Sequence, residues 1–292
     1  MAAMPIAPSN GIELCYETFG ESDDPTMLLV MGLGSQMIQW PDDFCAELAG
    51  RGYQVVRFDN RDTGESTRFD GGDMPSVRTA IGGGDVAVPY LLADMADDAV
   101  GLLDHLGVER AHVVGVSMGG MIAQTIAIRH PARVTSLTSV MSTTGDPDVG
   151  APTGEAMSAL MAPPPATCEA YQDAVVHYSH VWGSPGLFDE ELLRETARRA
   201  WDRGYNPAGT ARQMLAILSS GSRSADLARL TIPTLVIHGT ADTLVQPSGG
   251  ERTAEVIPDA KLWVVEGMGH DLAPPLWPQI IDAVASHAAE HG

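Results

Sequence analysis

Short apolar runs rich in β-branched residues alternate along this chain with longer stretches that are apolar at helical spacing. Arg110 to Val114 and Ile232 to His238 read as buried strands, and Ala260 to Val265 as another strand. Gly120 to Pro131 is apolar at helical spacing and is stopped by its proline. Further along, three helical patterns follow one another: Thr167 to Trp182, Asp189 to Arg203, and Asn206-Pro207 to Ser219. The second carries its acids early and its arginines late, in agreement with the helix dipole. Ala162-Pro163-Pro164-Pro165 precedes them as a stiff linker.

Gly115-Val116-Ser117-Met118-Gly119 joins the strand at Arg110 to Val114 to the helix that follows. A serine with glycine two residues before and two after is what a sharp strand-to-helix turn needs to hold up a nucleophile. Side chains at either glycine would collide with the neighbouring strand or helix. The helix N-terminus aims its free N–H groups at the space beside Ser117, where an oxyanion would be stabilised. In a glycine-rich chain the pentapeptide alone is a modest signal, and the strand before it and helix after it make it specific.

A nucleophilic serine needs a base, and the base needs an acid to fix its tautomer. Both are available downstream. Gly239-Thr240-Ala241-Asp242 is a turn that puts a carboxylate just past one strand, and Glu266-Gly267-Met268-Gly269-His270 follows another. With the order Ser117, Asp242, His270, the chain resembles the α/β-hydrolase fold family, whose triad runs in that order. Thr26 to Gly34 looks like the family's third strand and oxyanion loop, and Tyr53 to Ser66 like its fourth strand and the Asp-x-Arg-Gly-x-Gly-x-Ser turn. Met31 departs from the family's histidine before glycine, and Asp62 replaces the first glycine of the second motif. Met31 leaves the backbone N–H of Leu33 available as an oxyanion donor. Val30-Met31-Gly32, Trp40 to Phe44, Arg61 to Gly64 and Val116 to Gly119 are together similar to the aclacinomycin methylesterase-like branch.

The resemblance implies an α/β fold: a mostly parallel central sheet of about eight strands flanked by helices. Residues 1–144 and 229–292 would form the core, and 145–228 an inserted helical cap. It also implies Ser117 as nucleophile, His270 as base, Asp242 as acid, and the N–H groups of Leu33 and Met118 as the oxyanion hole. Some members place the acid after the sixth strand, where Asp146 and Asp148 follow Val134 to Met141. His238 reads as a core histidine, and Asp271 as a solvated neighbour of His270. His177 and His180 lie one helical turn apart without a third ligand pattern, so no metal is expected. Gly82 to Asp85 lacks the dinucleotide pattern and reads as a loop, within an excursion from Phe69 to Pro89 at the site's rim. No cofactor is expected.

Composition narrows the partners. Lys and Arg number 17 against 38 Asp and Glu, a net charge of −21, and Lys261 is the only lysine. Nucleic acid and anionic membrane surfaces are excluded as partners, since no basic patch exists to engage phosphates. Arg61 and Arg68 are the cations nearest the rim. No apolar run reaches membrane-spanning length, and Met1 to Pro5 lacks a signal-peptide pattern, so the cytoplasm is expected. Cys15, Cys45 and Cys168 are odd in number and widely spaced, which argues against a disulfide framework.

The expected function is a serine-dependent hydrolase of carboxylic esters of small to medium hydrophobic substrates, acting through an acyl-enzyme. A lactonase, a cofactor-free haloperoxidase or perhydrolase and a carbon–carbon bond hydrolase use the same triad. A non-catalytic small-molecule receptor is the reading from another class. A homo-oligomer stays open.

Overall fold

In the computed structural model, which describes residues 4–69, 76–84 and 86–292, the apolar runs become eight strands. They are β1 (Ile6–Ser9), β2 (Ile12–Phe19), β3 (Thr26–Val30), β4 (Gln54–Phe58), β5 (Ala111–Val116), β6 (Val134–Val140), β7 (Thr234–Gly239) and β8 (Lys261–Val265). One sheet holds them in the order β1-β2-β4-β3-β5-β6-β7-β8. β1 and β2 pair antiparallel, as do β2 and β4, and every later pairing is parallel. Every residue of β3, β5 and β7 is buried, which is why these strands read as continuous apolar runs rather than alternating ones.

The helices are α1 (Asp42–Ala49), α2 (Val77–Ile81), α3 (Leu92–His105), α4 (Met118–Arg129), α5 (Gly154–Leu160), α6 (Cys168–Trp182), α7 (Glu190–Gly204), α8 (Pro207–Ser220), α9 (Ser224–Leu227), α10 (Ser248–Val256) and α11 (Trp277–Ala289). Two apolar layers sandwich the sheet. On one face α3 and α4 bury Met95, Leu102, Ile122 and Ile126. On the other, α1 and α11 bury Phe44, Leu48, Ile280 and Val284. Among the described residues no helix is long and apolar enough to cross a membrane.

Five helices, α5 to α9, lie between β6 and β7, where the periodicity predicts three. α5 and α9 are too short to show a period, and the proline run joins α5 to α6 instead of opening the segment. Their starts follow capping chemistry: Thr167, Asp189 and Asn206 each accept a hydrogen bond from the backbone N–H three residues on, and Pro207 occupies the first helical position. Within the excursion from Phe69 to Pro89, Gly82 to Gly84 follow α2. Residues 70–75 and 85 lie outside the described residues.

Asp62, where the family motif has glycine, adopts φ +67°. That left-handed backbone explains the motif's glycine, and aspartate is one of the few other residues that tolerates it. Its buried carboxylate accepts two hydrogen bonds from Arg212 at 2.8 and 2.7 Å, one from Tyr90 at 2.7 Å and one from the Phe69 N–H at 2.9 Å. Burial alone would raise the carboxyl pKa, but these donors bring it below the ordinary value. The turn after β4 is thereby tied to α8. Asp62→Gly should therefore lower stability by about 3 kcal/mol or more, because it removes the carboxylate that accepts from Arg212, Tyr90 and the Phe69 N–H, a loss that outweighs a backbone relief of about 1 kcal/mol. Urea unfolding of the variant measures this, and an unchanged midpoint would contradict it.

Arg61 is corrected from rim cation to buried structural residue. It donates to both oxygens of Asp98 at 2.6 and 2.7 Å and lies over the rings of Phe69 and Tyr90. An unpaired charge at that depth would cost several kcal/mol, at least ~3, so the cation is neutralised in place. Arg68 donates to the carbonyls of Gly64 and Gly204. Cys15 and Cys45 are buried, Cys168 is partly buried, and all three are free thiols.

Candidate active site

β5 ends at Val116, α4 begins at Met118, and Ser117 between them has φ +55° and ψ −123°. A backbone this strained in a non-glycine residue persists only where its surroundings hold it. They do so through the two glycines. A Cβ on Gly115 would stand 2.1 Å from the Gly119 carbonyl oxygen, and one on Gly119 would stand 2.1 Å from that of Val30. The Ser117 N–H donates to the Val140 carbonyl at 3.0 Å, and the Ser142 hydroxyl donates to the Ser117 carbonyl at 2.7 Å.

His270, in the turn after β8, places Nε2 2.8 Å from Ser117 Oγ and Nδ1 2.7 Å from Asp242 Oδ2. Asp242, in the turn after β7, is buried, and its Oδ1 accepts from the N–H groups of Leu244 and Val245 at 2.9 Å each. Burial works to raise the Asp242 carboxyl pKa. The charge on His270 and hydrogen bonds from His238 and His270 prevail and hold it down to about 2. An ionised Asp242 keeps the imidazole proton on Nδ1 and leaves Nε2 free to take the proton of Ser117.

Two backbone donors flank this arrangement. Met118 is the first residue of α4, where N–H groups lack partners within the helix. A Cβ on Gly32 would lie 3.2 Å from Ser117 Cβ and 3.7 Å from its Oγ, so the peptide leading to the Leu33 N–H runs beside the serine. Gln213 of α8 accepts from the Gly34 N–H at 2.8 Å and donates to the Arg61 carbonyl and the Thr63 hydroxyl. One side chain thus holds both loops.

Asp271 is not a solvated neighbour. It accepts hydrogen bonds from the N–H and the hydroxyl of Ser184, and that buried hydroxyl accepts from the Gly269 N–H at 2.9 Å. The backbone turn at His270 sends the Asp271 side chain toward the segment after α6. The His270 N–H itself donates to the Trp182 carbonyl at 2.6 Å, and the Thr243 hydroxyl donates to that of Val181 at 2.7 Å. The end of α6 therefore latches both the histidine loop and the acid loop. No sequence motif marks this latch, because its donors and acceptors are mostly backbone.

His238 is a core histidine that also touches the acid: Nε2 lies 2.7 Å from the Val245 carbonyl and 3.4 Å from Asp242 Oδ2. Asp146 faces elsewhere. Its carboxylate binds the Ser222 and Ser224 hydroxyls and Arg252, and Asp148 also pairs with Arg252. His177 and His180 make ring contacts with Tyr178 and Phe188. Among the described residues, the one group of His, Cys, Asp or Glu with ligand atoms close enough to share an ion lies at the end of α11.

The pH dependence follows from these groups. Asp242 stays ionised down to about pH 2, so its own protonation should not add to the acid limb of kcat/KM above that pH. Log(kcat/KM) should rise with a slope of about one; a slope of two would mean a second essential group. Since the Asp242 carboxyl lies below its ordinary 3.8, its contact stabilises the fold above about pH 4 and is lost as pH falls through about 2.

Comparison with known proteins agrees with this geometry. A family profile described as the alpha/beta hydrolase fold matches residues 25–273. The chain is 30% identical to the rhodomycin D methylesterase DauP of Streptomyces sp. (strain C5), over 94% of this chain and 95% of that protein. Among solved structures, the enol-lactonase from Burkholderia xenovorans LB400 superposes with a TM-score of 0.75 at 25% identity, covering 98% of this chain and 100% of the other. A meta-cleavage product hydrolase from Pseudomonas fluorescens IP01 gives a TM-score of 0.78 at 22% identity, covering 99% and 98%.

Proposed function

The chain belongs to the α/β-hydrolase fold family and is a carboxylic ester hydrolase, and we propose that it cleaves neutral methyl esters of hydrophobic acids through an acyl-enzyme on Ser117. The observation that carries this reading is the unbroken chain of contacts from Ser117 Oγ through His270 to Asp242. The likeness to a rhodomycin D methylesterase supports the methyl leaving group.

In the first step Ser117 Oγ attacks the ester carbonyl carbon while His270 Nε2 takes the serine proton. The N–H groups of Leu33 and Met118 hold the oxyanion. The carbon–oxygen bond to the methoxy group then breaks, and His270 gives its proton to the departing oxygen, releasing methanol. Water next attacks the acyl-enzyme, passes its proton to His270, and the acid leaves as Ser117 recovers that proton. Asp242 keeps its charge throughout and stabilises the imidazolium.

The stacked pair Tyr178 and Trp182 lies at the end of α6 that holds the His270 loop, and it is the aromatic surface proposed for the acyl group. Their ring centroids are 4.7 Å apart, they and Leu244 of the acid loop pack against Ala156, Ala159 and Val181, and Trp182 carries the carbonyl that holds the His270 N–H. Apolar faces there favour an aromatic or aliphatic acyl group.

The direct test is methanol release from a methyl ester set against opening of a lactone of the same acid. The methyl ester should give the larger kcat/KM. Preference for the lactone would establish the lactonase reading, and binding without turnover the receptor reading. With Arg61 neutralised by Asp98 and a net charge of −21, an ester carrying a remote carboxylate should be the poorer substrate. Its deficit should shrink between low salt and about 0.15 M, where the Debye length is about 8 Å. Preference for the anion would contradict this.

A further inference from the structure

We propose that the end of α11 forms a site for one divalent transition-metal ion such as Zn²⁺, with His287, Glu290 and His291 as its protein ligands. One ring nitrogen of each histidine and one carboxylate oxygen of Glu290 lie within 4.8 Å of one another. The Glu290 N–H still bonds the Ser286 carbonyl, and the His291 N–H bonds that of Ala288. The helix thus runs to Glu290 and closes in a tight turn at His291, which keeps residues three and four apart close to one another. Two imidazoles and a carboxylate make a common three-ligand set for zinc, with a fourth position left for water.

A second observation points to a ligand. His287 is 5% exposed, and its Nδ1 is buried without a hydrogen-bond partner. Its Nε2 faces the Pro233 carbonyl at 3.3 Å. A proton on Nε2 donated to that carbonyl leaves a bare lone pair on Nδ1. Histidine ligands of metals are held in this way, with the second nitrogen donating to a carbonyl. Without an ion, the same nitrogen is a buried polar atom with its hydrogen-bonding capacity unused. His287 and His291 also line a cavity of about 310 Å³ together with Pro233, Thr234 and Lys261, which leaves room for the ion and its water.

Lys261 competes for the same carboxylate. Its Nζ lies 2.5 Å from Glu290 Oε2, the oxygen that is 3.8 Å from His291 Nε2. Removing the lysine should therefore free Glu290 for the ion.

The site's position sets its role. Thr234 and Lys261 begin β7 and β8, whereas Asp242 and His270 follow the other ends of these parallel strands. The ion would brace the end of α11 and take no part in ester cleavage.

Zinc sulfate titrated calorimetrically into the untagged, EDTA-stripped full chain tests this. One ion per chain should bind, and the melting temperature should rise with zinc while ester turnover stays unchanged. His291→Ala and Glu290→Gln, both at exposed positions, should each weaken binding by about tenfold or more, and Lys261→Met should tighten it. The double variant His177→Ala, His180→Ala should bind as the unaltered chain does. Absence of saturable one-to-one binding, binding indifferent to His291→Ala and Glu290→Gln, or loss of binding in the His177, His180 variant would each overturn the proposal.

Discussion

Ser117→Ala is expected to lower kcat for ester hydrolysis by about 10⁴ to 10⁶ while the unfolding midpoint barely moves. The substitution removes one oxygen that, among the described residues, hydrogen-bonds with the side chain of His270 alone, at 2.8 Å. The backbone bonds that hold the turn, from the Ser117 N–H to Val140 and from Ser142 to the Ser117 carbonyl, involve no part of the serine side chain. The fold keeps its strained turn, and the reaction loses its nucleophile. What remains is whatever the oxyanion donors and binding contribute to attack by water. Steady-state rates and urea unfolding on the same preparation separate the two effects. Turnover within tenfold of the unaltered chain would end the serine mechanism.

Asp242→Asn is expected to cost a factor on the order of 10⁴ in kcat. The direction follows from which oxygen does what. Oδ1 accepts from the N–H groups of Leu244 and Val245, so an asparagine keeps its oxygen there and turns its NH₂ toward His270 Nδ1. A donor facing Nδ1 forces the imidazole proton onto Nε2, where it confronts Ser117 Oγ and cannot accept the hydroxyl proton. The loss should persist at every pH at which His270 is neutral, because the tautomer is at fault and not the charge. Asp146→Asn should be mild by comparison, since that carboxylate serves Ser222, Ser224 and Arg252. A crippling Asp146→Asn beside a mild Asp242→Asn would move the acid to the turn after β6.

The parts of this site that a reader could take from the sequence share one property: each needs a rare residue at a fixed place in a turn. Gly115 and Gly119 are demanded by contacts near 2 Å, and Asp242 and His270 each lie in the turn after a strand whose apolar run is visible. β5 and β7 are legible because burial on both faces keeps them mostly apolar, and β8, with Leu262 and Val264 exposed, is legible as a run of large apolar residues. What escaped is held by groups every residue possesses, or by side chains far apart in sequence. The Trp182 carbonyl that grips the His270 N–H leaves no trace in side-chain identity. Ser184 and Asp271 are 87 residues apart, and Asp62 and Arg212 are 150 apart. Asp62 did announce itself, as an aspartate in place of a motif glycine. Its meaning needed α8 in position, because only then does the carboxylate meet Arg212. Asp271 misled for a similar reason: adjacency to His270 says that the two side chains diverge, and not what the diverging one will find.

Covalent labelling tests the central claim most directly. A reactive aryl phosphonate, whose tetrahedral phosphorus imitates the intermediate but is not hydrolysed, should add one phosphonyl group per chain. Intact-mass measurement should show that adduct growing in step with the loss of ester hydrolysis, and peptide mapping should put it on Ser117. A fully modified Ser117 with activity retained, or inactivation with the label on any other residue, would contradict the account.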